Sequence, residues 1–245
     1  MKRLVATIKN DMTVQVRNNL YAISIGAALL TAVVLGLLAA PQHLPGGIPA
    51  LLLIVTGGST LLYVAGMILF EKDEGTINAV TVSPLRTGEY LWSKVISLTL
   101  LATFESVIIV GGTMLLMRWW SGDPRALAMP NVPLLLLGIV TIGAIYTCIG
   151  VILVVRYDKI TDYLIPMAAV ALVLQLPMLY FLGWVVQPWL LAIPTSAPAM
   201  IMQGAYLDLS GNQWLYASLY TTVLLAVSAV WAYRAFQRHI IVKVG

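Results

Sequence analysis

Charge, histidine and cysteine are all scarce in this 245-residue chain: 10% charged residues, two histidines and one cysteine. Each scarcity excludes something. A lone thiol, Cys148, leaves no intrachain disulfide and no thiolate metal cage. Two histidines, His43 and His239, stand far apart, and no H-E-x-x-H pair occurs, so a zinc hydrolase reading has no ligands. The G-x-S-x-G nucleophile elbow is absent. The dipeptide Gly-Lys does not occur, which rules out the phosphate-cradling loop G-x-x-x-x-G-K-[ST]. No pair of acids inside an apolar run suggests an aspartyl protease. A soluble domain carries roughly a quarter charged residues, and this chain falls well short of that.

What is present is apolar: 60% of the residues are hydrophobic. Six runs reach the length of about 20 residues that spans a bilayer as a helix. They are read as 20–40, 48–70, 92–117, 132–155, 163–186 and 214–236. None alternates in the manner of a barrel strand. Backbone in lipid must satisfy its own hydrogen bonds, so the runs are expected to be helices in an all-α membrane protein. The first run starts late, after a charged stretch, and is too long for a signal peptide's apolar core, so no cleaved leader is expected.

Basic residues mark the cytoplasmic side of membrane proteins. Six spans put both termini on one side, with Lys2, Arg3, Lys9, Arg17, Lys72, Arg86, Lys94, Arg156, Lys159, Arg234, Arg238 and Lys243. Only Arg118 and Arg125 fall on the other, so 12 of the 14 basic residues share the side of the termini. Cytoplasmic termini are expected. The net charge of +4 follows from the same asymmetry and calls for no nucleic-acid partner, since no soluble module carries a basic stripe.

Three segments stand out against this frame. In 1–19, Leu4, Val5, Ile8, Met12 and Val16 form an apolar stripe, with Lys2, Lys9 and Arg17 largely elsewhere; the pattern predicts an amphipathic helix lying in the interface. In 71–90, four consecutive charges (Glu71, Lys72, Asp73 and Glu74) precede Gly75, Thr76, Ile77 and Val80, and Ser83-Pro84 then interrupts any helix. Thr87 and Glu89 suit the start of a new helix that re-enters the membrane as the third span. The segment reads as a short helix, a break and a second helix, with a plain solvated loop as the alternative. Third, Glu105 is an acid well inside a span, where an ionisable group is costly. It is a candidate for the substrate pathway, or a glutamate held by Ser106, Thr103 or a partner chain. Gln175 in the fifth span is a weaker candidate of the same kind. The turn "RYDKITD", 156–162, reads as an ordinary tight turn or a second, smaller contact on the terminus side.

The stretch "FEKDEGTINAVTVSPLRTGEYLWSKV", 70–95, resembles the permeases of ABC-2-type transporters: Glu71, Glu74-Gly75-Thr76, Ser83-Pro84-Leu85, Glu89 and Lys94 match their connection between the second and third spans. Gly88 stands where that family often has proline. "IPTSAPAMIM", 193–202, is similar to their outer segment before the sixth span. "LVATIKNDMTVQVRNNLY", 4–21, resembles the short permeases of drug-export systems, including the fluoroquinolone-export type. The resemblance implies a six-span export permease whose inner segment 71–90 docks on a separate cytoplasmic ATPase. Glu71–Ile77, Val80, Ser83 and Pro84 would be the coupling residues. ATP and Mg would be bound by that ATPase, with no cofactor or metal in this chain. A second permease chain and a hydrophobic or amphiphilic cargo are also implied. Two other readings stand beside it: a stand-alone ion-coupled transporter or channel that uses Glu105, and a non-transporting membrane scaffold or sensor.

Overall fold

The structure, a computed structural model, describes residues 2–38, 40–75, 86–121 and 129–241. Among them there is no strand. Six helical stretches are long and apolar enough to cross a membrane: Leu20–Leu37, Pro41–Asp73, Thr87–Trp120, Val132–Val154, Ile160–Phe181 and Gly211–His239. The chain is an all-α, multi-pass membrane protein.

Helix α1 (Lys2–Arg17) precedes the first span. Asn19 separates them with φ 57°, the left-handed conformation that asparagine tolerates at a helix end. Helix α2 (Leu20–Leu38) is the first span, and a 3-10 turn at Pro41–His43 leads into α3 (Leu44–Asp73), the second. Helix α4 (Thr87–Ser121) is the third span; Glu89 in its first turn accepts the Arg86 amide at 3.1 Å. Helix α5 (Val132–Val154) is the fourth, with Asn131 as its cap. Helix α6 (Ile160–Gln175) and the single turn α7 (Met178–Phe181) make the fifth. A 3-10 stretch, Pro188–Ala192, and the short helix α8 (Ser196–Gln203) precede α9 (Gly211–Phe236), the sixth. A capping box between Ser210 and Gln213 starts α9.

Several limits differ from the sequence reading. The second span runs past Phe70 to Asp73, and the third begins at Thr87, so Glu71–Asp73 continue a spanning helix rather than open a separate one. The remainder of the expected coupling helix, with Thr76, Ile77, Val80, Ser83 and Pro84, lies outside the described residues. The fifth run was expected to be helical to 186. Its helix ends at Gln175 and the last turn closes by Phe181. Pro177 has no N–H to continue the ladder. Gly183 then takes φ 73°, and the Trp184 amide reaches back to the Leu179 carbonyl at 3.0 Å, a helix-terminating motif that glycine permits.

Helices α3, α4 and α5 form the centre. Buried residues make up 67%, 56% and 72% of their apolar windows, against 22% for α2, for α6–α7 and for α9. The three outer spans thus leave most of their apolar surface uncovered by the chain itself. Tyr146 of α5 sits at the middle, fully buried, and donates to the carbonyls of Leu53 (3.0 Å) and Leu174 (3.4 Å), tying three spans together. Cys148, two residues on and on the other side of α5, is buried as well.

The segment before the sixth span is not a surface loop. Every residue from Ser196 to Met202 is buried. Helix α8 lies directly on α5 at Gly138, where a Cβ would come within 2.4 Å of Met202 and 3.1 Å of the Pro198 carbonyl. Polar groups hold it there. Thr195 donates to the Leu174 carbonyl, and Ser196 lies 2.6 Å from the Tyr216 hydroxyl on α9. Trp119, Trp120, Trp184 and Trp189 are exposed, as interfacial anchors would be.

Candidate functional site

Two polar clusters interrupt the apolar bundle. The first lies where α1, the end of α3 and the start of α4 converge, on the side of the termini. Lys94 is at its centre, with its side chain only 1% exposed. Its ammonium contacts Asp11 of α1 at 2.6 Å and Glu71 of α3 at 2.5 Å. Ser93 donates to Asp11 at 2.7 Å, Tyr90 donates to Glu71, and the Tyr90 ring faces the Lys94 ammonium at 5.1 Å. One turn further on, Gln15 donates to Ser97 at 3.0 Å. Among the described residues, one ammonium and two carboxyl groups meet here, close to the apolar interior. A buried charge survives there only because each group is paired and hydrogen-bonded.

The cluster changes the picture of the N-terminal helix. The apolar stripe of α1 was the feature visible in its sequence. The face of α1 turned to the bundle carries the buried Asp11 and Gln15 beside Val14, while Leu4, Ile8 and Met12 are half-buried and Val5 and Val16 exposed. The ion pair with Lys94 and the Gln15–Ser97 hydrogen bond hold this helix to the bundle. Asp11, Gln15, Tyr90 and Ser93 were not singled out from the sequence. The available signal was Lys94 itself: a lysine in the first turns of a spanning helix needs an acid nearby.

The expected coupling residues divide into two groups. Glu71 is turned inward onto Lys94. Lys72 leaves the helix in another direction and donates to the carbonyls of Tyr157 (2.7 Å) and Val155 (3.3 Å), with the Asp158 carboxylate at 3.4 Å. The end of the second span is thereby fastened to the 156–162 turn, so the two connections on this side meet. Asp73 and Glu74 are exposed, and Gly75 takes φ 68°, ending the helix with a sharp change of direction.

The second cluster is inside the bundle. Glu105 of α4 is fully buried. Its hydrogen-bond donor is Ser59 of α3, at 2.8 Å, rather than Ser106 or Thr103. Ser106 is paired with Thr56 at 3.0 Å, and Thr103 bonds the Thr99 carbonyl. Tyr63 of α3 adjoins the same carboxyl group, and Ser24 of α2 adjoins Tyr63. The second carboxyl oxygen of Glu105, the Tyr63 hydroxyl and the Ser24 hydroxyl are all buried without a hydrogen-bond partner. Three spans therefore deliver polar groups to one place and leave three of their atoms unsatisfied, an arrangement that suits a bound water, a proton or a cationic group. Gln175 is not part of this cluster. Its amide donates to the Ile54 carbonyl at 3.2 Å, bracing the last turn of α6 against α3.

Six apolar spans, a packed central trio and polar residues sunk between helices define a membrane transport protein, the class in which buried intramembrane acids are expected. The chain belongs to the fluoroquinolones export permease protein family, whose sequence profile matches residues 2–244. Two curated relatives, both called fluoroquinolones export permease protein and both from Mycobacterium tuberculosis (strains CDC 1551 / Oshkosh and ATCC 25618 / H37Rv), are each 28% identical over 249 residues. Each alignment covers 100% of this chain and 99% of the relative. The chain is an export permease, a transport subunit rather than an enzyme.

Proposed function

We propose that this permease is the membrane half of an ATP-driven exporter of amphiphilic, drug-like compounds, with fluoroquinolones among them. It works with separate cytoplasmic ATPase subunits that bind ATP and Mg, and with a second permease chain. Both termini are cytoplasmic in this reading, in keeping with the excess of basic residues on their side. The motor is separate because the chain has no phosphate-binding loop.

The observation that carries the reading is the way the 71–90 connection is rooted. Glu71 is bonded to Lys94, Lys94 to Asp11, and Lys72 to the 156–162 turn. A push on the connection is therefore delivered to α1, α3, α4 and α5 together, as a coupling element requires. Within that scheme the exposed Asp73 and Glu74, with Ile77 and Val80, form the docking surface. Glu71 and Lys72 serve as its base.

A second reading is favoured by one observation, the unpartnered oxygen of Glu105. Here Glu105 takes up a proton or cation, and transport is ion-coupled. Fluoroquinolone uptake into inside-out vesicles separates the two. The exporter reading expects uptake that needs ATP and an ATPase that co-purifies with the tagged chain. Glu74→Lys and Ile77→Asp should release that ATPase at least tenfold while membrane insertion is kept. Uptake driven by a proton gradient alone, insensitive to ATP and abolished by Glu105→Gln, would instead establish ion coupling.

A further inference from the structure

An apolar slot of 330 Å³ lies between α5, α6 and α9, away from both polar clusters. Ile145 and Arg156 mark its extent along α5, Pro194 of the outer segment also borders it, and Val227, Ser228 and Trp231 line it from α9. Val227 and Trp231 are more than half exposed, so the slot opens sideways, toward the bilayer. Its wall is hydrocarbon except for the Ser228 hydroxyl and the Arg156 guanidinium. Arg156 follows the end of α5 at the membrane boundary, and no carboxylate pairs with it among the described residues.

We propose that this slot holds one acyl chain of an anionic phospholipid from the leaflet on the terminus side, with the headgroup phosphate on Arg156. Three properties select that occupant. From Ile145 to Arg156 the chain rises about 16 Å at 1.5 Å per residue, close to the depth of one leaflet, half of a core about 30 Å thick. The single charge lies at the headgroup end, and basic residues set between spans at that level are where acidic lipid headgroups bind. A space of 330 Å³ drawn out over about 16 Å is small beside a helix about 10 Å across, which disfavours a span of a second copy. Retention of the lipid would explain how α9, poorly buried by protein, keeps its place beside α5 and α6.

Native mass spectrometry and thermal unfolding of the full chain, loaded with phosphatidylglycerol or phosphatidylcholine in nanodiscs, test this. The expected result is one phosphatidylglycerol retained after mild delipidation, and a melting midpoint several degrees above that in phosphatidylcholine. Arg156→Gln should remove the preference between the two lipids and leave the midpoint in phosphatidylcholine unchanged. Val227→Trp should fill the slot and reduce retention of both lipids at least several-fold. Equal midpoints in the two lipids, or a phosphatidylglycerol preference that survives Arg156→Gln, would overturn the proposal. So would an equal stabilisation by inorganic phosphate, which would reduce Arg156 to a simple anion contact. Efficient disulfide dimerisation of Val227→Cys in membranes would place a second copy there and likewise overturn it.

Discussion

The Lys94 ammonium sits where almost no water reaches it. Two carboxylates, a serine and a tyrosine ring make this tolerable. Such an arrangement is weak evidence for stability in itself, because desolvation offsets most of the attraction, but removing one member leaves a charge stranded. Lys94→Met should therefore cost about 3–5 kcal/mol, the usual penalty for breaking a buried ion pair. The triple change Asp11→Asn, Glu71→Gln, Lys94→Met should recover most of that loss. Thermal unfolding in detergent would read both. A Lys94→Met protein as stable as the parent would mean that the carboxylates find other partners. The same variant would also test the coupling scheme, since Asp11 is one of two groups, with Gln15, that tie α1 to the third span among the described residues.

At the scale of the element, α8 is held by a close contact with α5 as well as by hydrogen bonds. Its buried face meets α5 at Gly138 with backbone-to-backbone closeness. Gly138→Leu should displace α8 from α5 and destabilise the protein by at least the 1–3 kcal/mol typical of an overpacked core. Hydrogen exchange should rise across Ser196–Gln203 while the α3–α4 contact stays protected; protection of α8 equal to the parent's would contradict this. Element existence was legible in the sequence, because a run of 20 apolar residues has few other fates. The faces and breaks were less so. Helix α1 forms over 2–17, yet it is tied to the bundle through the acid Asp11, whose partner lies 83 residues away and leaves no trace in local periodicity. The fifth span ends early because Pro177 and Gly183 act on backbone geometry, while a hydropathy reading sees only that the stretch stays apolar. The burial of α8 was hidden because its apolar turn suits an interfacial helix as well as a core one. Glu105 was visible as an oddity; Ser59, Tyr63 and Ser24, small or aromatic residues ordinary in spans, were not.

For the molecule as a whole, three spans are core and three are rim. Stability rests on the α3–α4–α5 trio and the polar ties that radiate from it, with Tyr146 bonded to two neighbouring helices. Cys148 of α5 lies beside Ser228 of α9, 2% exposed, and it is the single thiol in 245 residues. A buried thiol reacts only when the protein opens. Maleimide labelling of the folded permease should be slow, and should accelerate by an order of magnitude or more in Lys94→Met under the same conditions; equal rates would show that the ion cluster does not govern opening of the trio. The chain thus carries its own clock, a chemical reporter of global unfolding that needs no engineered probe. It also leaves every other position open to an introduced cysteine, read against a background that stays silent for as long as the fold holds.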